Sequence, residues 1–88
     1  MPKRNLFVSR EESEKRKAII GRLLVRVEAA SERAKVRPLD RLSLRRYFQK
    51  VFWSLDTEEL ELYREAEYSV EALVLNRIAK NRESGMWQ

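Results

Sequence analysis

The chain has 88 residues, 38% of them charged, with 19 Lys and Arg against 14 Asp and Glu and with no Cys and no His. A chain of this length makes one small domain with a modest core. Without Cys there is no disulfide framework and no thiolate site. Without His there is no imidazole acid–base chemistry, and a zinc ion would be left with carboxylates alone, a donor set it rarely uses.

No run of about 18 apolar residues is present to span a membrane. Residues 1–20, MPKRNLFVSREESEKRKAII, carry charge where a signal peptide needs an apolar stretch. An intracellular, cytoplasmic location is the expectation. Gly and Pro number four in total and Asn and Gln five, so the many Arg, Glu and Lys give a thermophile-like composition. The net charge of +5 hides an asymmetry: residues 1–55 carry 15 Lys/Arg against 6 Asp/Glu, and residues 56–88 carry 4 against 8. A basic front and an acidic last third point to a polyanion partner or to docking of the two halves on each other.

Residues 1–8 form a short tail, basic and then apolar, ending in Leu6, Phe7 and Val8. A first long helix is predicted over about 9–36. Ser9 and Glu12 have capping-box spacing. Ile20, Leu23, Leu24, Val27, Ala30 and Ala34 recur at helical intervals. Pro38 ends the segment, and Gly21 is an internal weak point costing about 1 kcal/mol against Ala.

A shorter helix is predicted over about 40–55. Asp40 is its expected N-cap, and Leu44, Phe48, Val51, Phe52 and Leu55 form its inner face. A second long helix is predicted over about 56–83. Asp56 and Glu59 cap it, and Leu60, Tyr63, Ala66, Val70, Leu73, Val74 and Ile78 make its stripe. Gly85 supplies a stop, followed by a C-terminal tail, 84–88. With no strand pattern and no repeat, the expected fold is all-α, a small three-helix bundle of two long helices around a shorter one.

Four cations of the first helix, Lys15, Arg22, Arg26 and Arg33, fall within about 40° of one another at 100° per residue, in a row roughly 27 Å long. Glu14, Glu28 and Glu32 lie on the opposite flank. A row of one sign sets up a field that attracts phosphates, and Arg binds phosphate in a two-pronged geometry. Arg45, Arg46 and Lys50 of the middle helix extend the candidate nucleic-acid-binding set. The other explanation of the row is ion pairing, with the acidic third or with a partner.

The middle helix also carries Leu42, Arg46, Gln49 and Trp53 away from its inner face. Trp and Arg are the usual anchors of protein interfaces, and Trp also stacks on bases. Tyr68 and Leu75 lie opposite the apolar stripe of the last helix, a second unpartnered strip. With Phe7, Met86 and Trp87 of the tails they complete the candidate partner-binding set.

No Gly-rich phosphate loop, catalytic triad or zinc-finger spacing occurs, so no catalytic residue, metal ligand or cofactor is assigned. A helix-turn-helix reading fails because the last helix opens Asp-Thr-Glu-Glu, which phosphates repel. The first expectation is a non-catalytic, basic accessory subunit of a nucleic-acid-processing assembly (replication, transcription or ribonucleoprotein). Such a subunit binds a larger protein and the DNA or RNA backbone without sequence specificity. The alternative is a protein–protein adaptor or assembly factor with no nucleic-acid contact. A membrane-surface role is disfavoured, because the first helix lacks the Trp and Phe that interfacial helices bury.

Overall fold

The computed structural model describes residues 9–85, and every regular element among them is a helix. The order is α1 (Arg10–Arg33), α2 (Pro38–Ser54), α3 (Thr57–Arg64) and α4 (Val70–Glu83). The all-α expectation holds. The three-helix description does not, because the second long helix is two helices.

α1 starts where its sequence dictates: the Ser9 hydroxyl accepts a bond from the Glu12 backbone N–H at 3.0 Å. It stops earlier than expected. Lys35 takes a left-handed conformation, φ 60°. Its N–H and that of Val36 then reach back to the carbonyls of Glu32 and Ser31, both at 3.0 Å. This fold-back buries Val36 in the core. Pro38 opens α2 instead of ending α1, since its fixed φ suits a first helical position. Arg37, not Asp40, is therefore the N-cap, in the extended conformation that a following proline imposes. Asp40 lies in the first turn and accepts from Arg37 at 3.3 Å.

α3 opens on a complete capping box. The Asp56 carboxylate accepts from Glu59 N–H at 2.9 Å, and Glu59 accepts from Asp56 N–H at 3.3 Å. It ends after eight residues because Ala66 turns left-handed, φ 69°. Ala66 and Glu67 N–H groups bond back to Tyr63 and Leu62 carbonyls at 3.2 and 2.9 Å. Ser69 then caps α4 by accepting from Ala72 N–H at 3.1 Å. The residues that pattern reading placed on one continuous stripe thus divide. Leu60 belongs to α3, Val70, Val74 and Ile78 belong to α4, and Ala66 is exposed at the corner. Gly85, φ 78°, ends α4.

α1 is the hub and packs against each of the other three helices. Its Ile19, Ile20, Leu23, Leu24, Val27 and Ala30 form one wall of the core. Leu44, Phe48 and Phe52 from α2, Leu60 from α3, and Val70, Val74 and Ile78 from α4 close it. Phe52 is fully buried, and each such side chain stabilises the fold by about 1.5–3 kcal/mol through removal of apolar surface from water. Its ring lies 5.9 Å from Phe48 and 6.0 Å from Tyr63, so it joins α2 to α3. Tyr63 continues the contact to Tyr68 at 5.1 Å.

Candidate interaction surfaces

The two flanks of α1 meet different neighbours. On the acidic flank, Glu28 pairs with Arg45 at 3.3 Å and Glu32 pairs with Arg41 at 3.5 Å, both on α2. On the basic flank, Lys15 pairs with Glu61 of α3 at 2.6 Å, and Arg33 pairs with Glu71 of α4 at 3.3 Å. Arg26 donates to the carbonyls of Tyr63 and Arg64 at 2.9 and 3.2 Å. Those carbonyls belong to the last turn of α3, where backbone acceptors lack helical partners and partial negative charge collects. Arg26 therefore caps α3 at the corner where the chain turns.

Of the candidate nucleic-acid-binding residues, Lys15, Arg26, Arg33 and Arg45 thus have partners within the fold. Arg22, Arg46 and Lys50 are exposed and make no ion pair with the described residues. The Lys15 ammonium, by its hydrogen bond to Glu61, holds that carboxyl below its ordinary value of 4.5. Partial desolvation opposes the shift, and the Lys15 and Arg64 charges add to it. Tyr63 shifts the other way: desolvation, then Tyr68 and Glu59, raise its phenol above 10.0.

Arg16 was not singled out by its sequence position, yet it organises the end of α2. Its guanidinium donates to the Trp53 carbonyl at 3.1 Å, the Leu55 carbonyl at 2.8 Å and Thr57 Oγ1 at 3.3 Å. Thr57 donates in turn to Glu12 at 2.6 Å. The same guanidinium lies 5.7 Å from the centre of the Trp53 ring, a cation–π contact. Trp53 is therefore held in place by α1 while 40% of its surface stays in solvent. Arg77 of α4 lies 4.4 Å over the Tyr47 ring and so links α4 to α2.

The partner-binding residues that can be placed are all exposed: Leu42 at 52%, Tyr68 at 49%, Leu75 at 44%, with Trp53. Phe7, Met86 and Trp87 lie outside the described residues. The structure adds two aliphatic residues that pattern reading passed over, Val25 at 67% and Leu39 at 78% exposed. Val25, Ala29, Pro38 and Leu42 line an open groove of about 570 Å³ between α1 and α2, with Glu28, Glu32 and Arg41 on its rim. Val25 was legible as an apolar residue away from the stripe of α1, at the step where the helical projection leaves the core face.

No protein-family model matches the chain, and no curated protein or solved structure matches it. No described helix is long and apolar enough to cross a membrane.

Proposed function

We propose that the chain is a non-catalytic helical adaptor. It docks on a larger protein through the outer face of α2, with Leu42 and Trp53 as anchors and the adjoining α1–α2 groove beside them. One contrast carries this reading. Four of the seven cations assigned to a polyanion have partners inside the fold, whereas Leu42, Trp53, Tyr68 and Leu75 are all left in water. A Trp fixed by Arg16 before any partner arrives loses little freedom on binding, which favours an interface anchor.

The second reading is the basic accessory subunit that also holds DNA or RNA by its backbone. It draws on Arg22, Arg46 and Lys50, which have no acidic neighbour in contact among the described residues. The two readings separate in one pair of measurements. Leu42→Arg with Trp53→Arg removes the anchors of the adaptor surface and adds positive charge. A photo-crosslinker placed at Gln49 in the native source should label a protein, and that adduct should vanish in the double variant. A titration of labelled duplex against salt gives the other limit, since three phosphate contacts produce a log–log slope of about −3. A slope of about −3, lost when Arg22, Arg46 and Lys50 become Glu, would put the nucleic-acid reading first.

A further inference from the structure

At the α3–α4 corner the backbone opposes the preferences of its own residues. Ala66 sits in the left-handed region, φ 69°, at the position after a helix where Gly is usual. For an L-residue with a Cβ this costs roughly 1–2 kcal/mol. Its neighbours Glu65 and Glu67 are helix formers, and no Gly or Pro occurs from Leu39 to Ser84. The bend is held by short-range bonds, among them the Ser69 cap on Ala72 N–H, and by one side chain from far away in the sequence. Two backbone bonds return to Tyr63 and Leu62, and the Arg26 guanidinium covers the carbonyls of Tyr63 and Arg64. A continuous helix would satisfy those same carbonyls by its own i→i−4 bonds.

The other non-glycine residue in the left-handed region, Lys35, has no such freedom. Pro38 follows it closely, fixes Arg37 in an extended conformation and blocks a helix from running through.

We infer that the α3–α4 corner is a hinge through which two copies of this chain exchange α4. When the corner straightens, residues 57–83 form one helix of about 40 Å. The apolar face of α4, Val70, Val74 and Ile78, is buried in the closed chain and cannot remain in water. It settles on α1 of the second copy, with Arg77 over that copy's Tyr47. The fit is guaranteed by identity: the receiving surface is the one that α4 covers in the closed chain. Exchange relieves the strain at Ala66 and gives up the Arg26 cap, so the two forms differ locally by small opposing amounts. This inference stands apart from the adaptor reading, since it uses the inner face of α4 and none of the proposed docking residues.

The test uses the absence of natural thiols. Arg33→Cys with Glu71→Cys puts the only two thiols at facing, exposed positions of α1 and α4 that an ion pair now joins. The full chain is concentrated, oxidised and separated on a non-reducing denaturing gel, with molar mass measured in parallel by light scattering. The expected result is a dimer whose disulfides run between chains. Adding Ala66→Gly should weaken dimerisation at least about tenfold, because Gly removes the strain of the closed form and weakens the straight helix. Adding Arg26→Gln should move the balance toward dimer. Two results overturn the inference: a monomer with intrachain disulfides at every concentration with either hinge variant, or a dimer whose disulfides are all intrachain.

Discussion

On the side of α1 that faces α2, the central helix supplies acid and its neighbour supplies base: Glu28 and Glu32 meet Arg45 and Arg41. On the side that faces α3 and α4 the signs reverse, and Lys15 and Arg33 meet Glu61 and Glu71. If α2 and the α3–α4 pair changed places around α1, carboxylates would face carboxylates and cations would face cations. Each surface pair by itself adds only about 0.2–1 kcal/mol. Their value lies in the wrong arrangement, where every one of them turns repulsive. The segregation of charge along α1 therefore selects which neighbour packs on which side, and the apolar core alone does not supply that choice.

The largest effect comes from the residue where the two sides meet. Phe52 has no exposed surface and touches both Phe48 on its own helix and Tyr63 across on α3. Phe52→Ala should cost about 3–5 kcal/mol in chemical denaturation, lost from both sides together. A smaller change acts on one side only. Arg26→Ala removes the cap on the α3 carbonyls and should cost about 1 kcal/mol, discounted because the side chain is largely in solvent. Ala66→Gly at the corner those carbonyls border should return about 1 kcal/mol to the closed form, by relieving the left-handed alanine.

Gly21 tests the backbone of α1 by itself. A Cβ there meets nothing within 4 Å, so Gly21→Ala should stabilise the fold by about 0.5–1 kcal/mol in the same assay. The smallest effect is in pH. The Glu61 carboxyl is held below 4.5 in the folded state, so its contribution is fully present above that value and fades as pH falls through the folded value. Lys15→Met should flatten that acid limb, read as midpoint denaturation temperature against pH between about 5 and 3.

Much of the fold was legible because capping and periodicity are local. Ser9 caps α1, although the Glu12 carboxylate goes to Thr57 and does not complete the expected box. Asp56 and Gly85 act as their sequence neighbours predict. So do the core positions of α2, Leu44, Phe48 and Phe52. The break at Ala66 was not legible, since no Gly or Pro lies near it and Ser69, which caps α4, is a weak boundary signal by itself. It is held by Arg26, far away in the chain, and by burial of α4 against α1. The exposure of Trp53 and Leu75 followed from helical projection, whereas Tyr68, projected onto a continuous helix, is exposed because it lies in the corner between α3 and α4. The destination of the basic row did not. Composition showed that the last third is acidic, and only packing brings Glu61 and Glu71 alongside Lys15 and Arg33. Arg16 escaped notice because it projects toward the core side of α1, where a charged residue finds its partners among carbonyls that sequence does not display.

A charge exchange across the α1–α2 contact tests the sorting role most directly. Glu28→Arg with Glu32→Arg sets like charges against Arg45 and Arg41, and Arg41→Glu with Arg45→Glu does the same from the other helix. Each double variant should lose about 1–2 kcal/mol in denaturant unfolding, and the fourfold exchange should recover most of the loss. A fourfold variant as unstable as the sum of the two doubles would contradict the account.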